Sequence, residues 1–203
     1  MNGVKEYIES GMLELYVAGN TTTEEKAAVE QMAVMHSEIA EEIKVIAALL
    51  HKYGTHNGIA PNPTIKPFLL ATIDYTERIK NGEAASYPPI INENSSIEDY
   101  AGWLNRDDMV APEKLEDVYA KIIGNANEVV TAIVWIKEIA PQEVHDNEVE
   151  KFLIVEGTCN ITIGEEVHQL IAGDMLSIPL HKNHFVKVTS AIPCKVILQR
   201  IAA

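Results

Sequence analysis

The spacing of apolar positions changes midway along the chain. Up to about Asn81 they recur at steps of three and four residues, the period of amphipathic helices; after about Asp117 they fall into short runs. A first helix is expected from about Val4 to Ala18. Val4, Ile8, Met12 and Leu15 form its stripe, Leu13 and Val17 widen it, and Gly19 stops it. Thr22 and Glu25 have the spacing of a capping box for a second helix, with Ala28, Met32 and Met35 on its face. Ile39, Ile43, Ile46 and Leu50 fall at i, i+4, i+7 and i+11 and predict a third. Gly54 to Pro63 reads as loop. A fourth helix then carries Phe68, Thr72, Tyr75 and Ile79 at the same spacing, ended by Gly82.

Glu83 to Ser95, with Pro88, Pro89, Asn92 and Asn94, reads as a linker. Ser95 and Glu98 are placed to cap a short helix bearing Trp103 and Leu104. Strands are expected at Val118 to Ile123, Glu128 to Ile139, Lys151 to Glu156, Cys159 to Ile163, Val167 to Ile171, Met175 to Ile178, Phe185 to Thr189 and Lys195 to Ile201. Gly124, Gly157, Gly164, Gly173 and Pro193 punctuate them. Helices followed by strands indicate two domains rather than an alternating α/β fold. The expected class is α+β multidomain: a helical bundle at residues 1–82, a linker with a short helix at 83–116, and a β-barrel at 117–203.

Composition narrows the partners. The chain has 203 residues, 47% of them apolar, enough for a real core. Its formal charge of −14 repels phosphate, so direct nucleic-acid binding is not expected. The start, MNGVKEYIESGM, lacks the basic and apolar regions of a signal peptide. The best apolar run, Val129 to Ile136, is strand-sized and too short to cross a bilayer. Cys159 and Cys194 have no metal-type spacing and read as buried thiols. Together these features predict a cytoplasmic protein with no membrane partner.

The candidate chemistry is a metal site. Glu143 and His145 alternate along strand-like sequence and so share a face. Asp146 and Asn147 form a turn, and Glu150 opens the next strand pointing back. Pro179 to Asn183 makes a second turn that delivers His184 to another strand. Two imidazoles and two carboxylates suit a divalent transition metal, zinc first, with iron, manganese or nickel also compatible. A surface cluster of acidic residues holding no metal is the competing reading.

These residues resemble the two motifs of the cupin superfamily. The first reads His-x-His, three or four residues, Glu, six residues, Gly; here it is Glu143-x-His145, four residues, Glu150, six residues, Gly157. The second reads Gly, five residues, Pro-x-Gly-x-x-His; here it is Gly173, five residues, Pro179-x-His181-x-x-His184. The resemblance implies a jelly-roll barrel with a metal pocket at Glu143, His145, Glu150 and His184. Glu143 replaces the first histidine, His181 the glycine, and Val188 the asparagine that usually follows. Carboxylate oxygen still binds metal, so the site either survives with altered preference or belongs with metal-free cupins. His181, His168 and His36 read as surface residues.

The helical half resembles another family. Ser10 to Gly19 (SGMLELYVAG), followed by Thr22 to Glu30, is similar to the N-terminal domain of bacterial anti-sigma factors over about Tyr7 to Ile46. The zinc motif of some members falls here on Met32, His36 and Ile39, which cannot form it, so no zinc is expected in the bundle. A helical domain of this type joined to a cupin resembles the ChrR-type cupin anti-sigma factors. That resemblance implies a transcription regulator, active in a stress response, that sequesters an extracytoplasmic-function sigma factor through its helices and senses a signal through its cupin. Two alternatives stay open. One is a metal-dependent cupin enzyme, a dioxygenase or isomerase, with helices serving a homodimer. The other is a metal-free cupin that binds a small molecule.

Overall fold

In the computed structural model, which describes residues 2–203, the chain divides into two compact units, one ending at Ala60 and one spanning Pro61–Ala203. Met1, the first residue of the expected helical domain, lies outside the described residues.

Among its described residues the first unit holds four helices: α1 (Asn2–Ile8), α2 (Met12–Val17), α3 (Thr23–Met35) and α4 (Ser37–Asn57). The single helix expected from Val4 to Ala18 is two. Gly11 adopts φ 82°, and the Ser10 hydroxyl accepts from the Met12 N–H while donating to the Tyr7 carbonyl, so the chain turns there. The Thr22 and Glu25 capping box forms at the start of α3, with both reciprocal hydrogen bonds present. Leu13, Val29 and Ile39 are fully buried, ringed by Tyr7, Met12, Tyr16, Met32, Ile43 and Ile46. Met35, expected on the packed face, is exposed, as is Leu50. α4 runs on through the expected loop at Gly54, but beyond Ile46 it adds nothing to this core.

The second unit contains α5 (Ile65–Lys80), a 3-10 turn (Ile97–Tyr100) leading into α6 (Ala101–Leu104), and nine strands. These are β1 (Val118–Ala126), β2 (Val129–Ile136), β3 (Ile139–Glu143), β4 (Glu148–Glu156), β5 (Thr158–Ile163), β6 (Glu166–Ile171), β7 (Met175–Ile178), β8 (His184–Val188) and β9 (Cys194–Ala202). They form two antiparallel sheets, ordered β1-β2-β9-β4-β7 and β3-β8-β5-β6. Between the sheets pack Ala132, Val134, Phe152, Ile161, Val186 and Leu198, with the buried free thiols Cys159 and Cys194. One expected strand, Glu128 to Ile139, is really two. The chain leaves the first sheet after Ile136 and joins the second at Ile139, a change of sheet that apolar runs do not announce.

Two segments differ from the expected boundaries. α5, expected in the helical domain, belongs to the second unit: Ala71 and Tyr75 enter the barrel core, with Phe68 and Ile79 packed against it. Ala71 rather than Thr72 holds the buried place on its stripe. Amphipathicity requires that a helix pack but does not name the surface.

The expected linker is a strap across the outer face of the five-stranded sheet. Ile91, Tyr100 and Met109 are buried there against Ile123, Ile133, Trp135, Leu153 and Ile197. That second covered face explains why β2 is a nearly continuous apolar run instead of an alternating one. Gln199 ties the strap down: its Oε1 accepts from the Ile91 N–H at 2.8 Å and its Nε2 donates to the Pro89 carbonyl at 2.7 Å. The capping box before α6 is Ser96 with Asp99, one residue later than expected.

Candidate metal centre

Strand register gathers the four expected residues. Glu143 ends β3 and faces His184 at the start of β8. Glu150 in β4 faces Arg200 of β9 on one side and Ile178 of β7 on the other. His145 lies on the bend between β3 and β4. One donor atom from each of Glu143, His145, Glu150 and His184 lies within 4.8 Å of the others. Glu150 and His184 are 2% and 3% exposed, a placement that charged and polar groups hold only with partners.

The hydrogen bonds decide what the imidazoles present. His184 Nδ1 lies 3.2 Å from the Lys182 carbonyl, which can only accept, so Nδ1 carries the proton. Its Nε2 lies 2.9 Å from Glu150 Oε2, a hydrogen bond when Nε2 carries a proton. His145 Nδ1 is 3.1 Å from Glu148 Oε1, within ion-pair distance. Its Nε2 is buried without a hydrogen-bond partner, 3.5 Å from Glu143 Oε2 and 3.6 Å from Glu150 Oε2. One nitrogen of each ring and the two carboxylates therefore converge on one point, where a proton or a metal cation can be held. The donor set fits a divalent transition metal.

The same geometry shifts the titration of the groups. Burial pushes the Glu150 carboxyl up, but the imidazoles of His145 and His184 and the Arg200 charge outweigh it, and the net shift is down. The neighbouring Glu150 carboxylate raises the His145 pKa against the opposing effect of burial.

Three contributors were not legible as site residues. The Arg200 guanidinium sits 3.0 Å from Glu143 Oε2 and 2.9 Å from Glu150 Oε1, and 4.3 Å from the centre of the Phe68 ring. Thr64, just before α5, donates its hydroxyl to Glu143 Oε1. Phe68 is on α5. For Arg200 a signal exists: on β9 it continues the inward series Cys194, Val196, Leu198, and an inward arginine needs a buried anion. A cleft of about 310 Å³, bounded by Asn62, Thr64, Phe68, His145, Asn183 and Arg200, opens onto the site.

The other histidines stand apart. His181 is exposed, with its ring 3.1 Å from Asp146, and it adopts φ 59°, the left-handed conformation that the motif's glycine takes easily. His168 pairs loosely with Glu166.

Residues 131–199 match the family model described as Cupin domain. The C-terminal region contains a cupin domain. Among solved structures, this chain is similar to a protein of Thermotoga maritima described as a predicted oxalate decarboxylase (15% identity, 48% of this chain and 97% of that one, TM-score 0.43). It is also similar to KdgF of a Halomonas species (15% identity, 47% and 90%, TM-score 0.42). A third is the Cnp3 cupin domain of Schizosaccharomyces pombe (10% identity, 44% and 67%, TM-score 0.41). No curated protein matches the chain. Among the described residues, no helix is long and apolar enough to cross a membrane.

Proposed function

We propose that this chain is a transcription regulator whose helical unit sequesters a sigma factor and whose cupin domain is a metal-dependent sensor. The observation that carries the partner reading is the second half of α4. Leu49, Leu50 and Tyr53 are 62%, 48% and 68% exposed on the stretch beyond Ile46, where the helix has left its own core, and Val45 just before it is 49% exposed. Val45, Leu49 and Tyr53 stand four apart and form one ridge. Such a row is a docking surface for a protein with an apolar groove.

The flanking charge favours a basic partner. Residues 1–60 hold nine glutamates and four lysines, which would steer the unit toward the basic surfaces a sigma factor offers to DNA and polymerase. The resemblance of Ser10 to Gly19 to anti-sigma domains supports the same partner. In the cupin domain, Glu143, His145, Glu150 and His184 would hold the metal, which would supply a Lewis-acidic or redox-responsive centre.

The test is binding of an extracytoplasmic-function sigma factor from the same cell to the full chain, read by calorimetry at rising salt. Binding should weaken with salt, and Leu49→Asp with Tyr53→Asp should abolish it without changing metal content. Absence of binding, together with metal-dependent turnover of a small molecule, would replace this reading with that of a cupin enzyme.

A further inference from the structure

We propose that Arg200 sets the affinity of the metal centre, as a resident positive charge that weakens the site's hold on a divalent cation and makes that hold reversible. This rests on the cluster being a metal site.

The argument starts from which oxygens Arg200 occupies. On Glu150 it takes Oε1 at 2.9 Å and leaves Oε2 to the histidines. On Glu143 it takes Oε2 at 3.0 Å, the same oxygen that faces His145 Nε2 at 3.5 Å. The other Glu143 oxygen is engaged by Thr64. A cation drawn to the four donors must therefore share Glu143 Oε2 with the guanidinium or displace it.

Arg200 is not free to withdraw. Its place opposite Glu150 in the β4–β9 ladder sets its inward direction, and its guanidinium lies against the Phe68 ring. Its burial opposes its charge, and the Glu150 and Glu143 carboxylates restore it.

Charge then sets the consequence. Two neutral imidazoles and two carboxylates carry two negative charges, which a divalent ion would cancel. With Arg200 present the set carries one, and the loaded site ends positive in a partly buried place. Such a site fills when metal is abundant and empties when it is scarce, as a sensor requires.

The experiment compares Co²⁺ binding to the full-length wild type, Arg200→Gln and Arg200→Lys. It is followed by the visible absorption of the bound ion and by the rise in thermal midpoint that Co²⁺ produces. Arg200→Gln should bind about tenfold more tightly, and Arg200→Lys, which keeps the charge, should stay near wild type. Losing the guanidinium leaves two carboxylates without a counter-charge, so Arg200→Gln is expected to be less stable without metal. The Co²⁺-induced rise in midpoint should then be larger for it than for wild type, and if the metal-free variant is unfolded Co²⁺ should restore a cooperative unfolding transition. Equal or weaker Co²⁺ binding by Arg200→Gln, with no larger rise, overturns the proposal while leaving the metal site standing. Absence of Co²⁺ binding by wild type and by both variants overturns the metal site and this proposal together.

Discussion

Glu150 and His184, 34 residues apart in the chain, are hydrogen-bonded at 2.9 Å with both side chains buried. The β4 and β8 strands that carry them lie in different sheets, so the pair joins the two layers of the barrel at the site. The contact is a hydrogen bond when His184 Nε2 carries a proton, and without that proton the nitrogen and the carboxylate are both donors to a cation.

Metal content follows from that convergence. Wild-type protein should carry at most one transition-metal ion per chain, by elemental analysis. His145→Ala combined with His184→Ala removes both nitrogen donors and should bring the content to none. Retention of metal by a folded double variant would place the ion elsewhere.

Acidity should act in opposite directions on the metal-free and loaded forms. The folded pKa of His145 is raised, so its contribution to stability is fully present below its unfolded value of about 6.5 and is lost as pH rises through the folded value. The folded pKa of Glu150 is lowered, so its contribution is present above about 4.3 and is lost only as pH falls through the folded value. In chelator the thermal midpoint should therefore be higher at pH 6 than at pH 8.5, and His145→Gln should flatten the difference. Zn²⁺ occupancy should fall over the same acid step, because a proton competes for Nε2.

The strap is part of the barrel's stability. A methyl at Gly124 would run into the Pro88 ring, which cannot swing aside as a flexible chain would. Gly124→Ala should lower the unfolding free energy by about 1–3 kcal/mol, the usual cost of overpacking. Gln199→Leu leaves the Ile91 N–H without its partner, while the Pro89 carbonyl keeps the Tyr100 hydroxyl, and should cost about 1–3 kcal/mol. Chemical denaturation checks both.

Limited proteolysis should cut first at Gly58 to Ala60, which lies in no helix or strand and where Ile59 is 98% exposed. The product beginning near Pro61 should resist further cleavage. Early cleavage between Glu83 and Ser95 would show that the strap lifts from the sheet.

Sequence alone determined what neighbours in the chain decide. The Thr22–Glu25 box is a bond between residues three apart, and it forms where its spacing placed it. Glu143, His145 and Glu150 lie within eight residues, and strand alternation with one turn is enough to aim them together. The cupin domain was likewise readable from two short motifs. Only the tertiary structure decided what each apolar face meets. The stripe of α5 would suit a bundle of helices as well as a barrel, and the strap's Ile91 carries no local mark of burial. Arg200 joined the site because β9 sits beside β4 in one particular register. Hydrogen-bonded turns and side-chain periodicity are short-range and leave their record in the sequence. Burial is satisfied by any complementary surface, so its partner is chosen only when the whole chain packs.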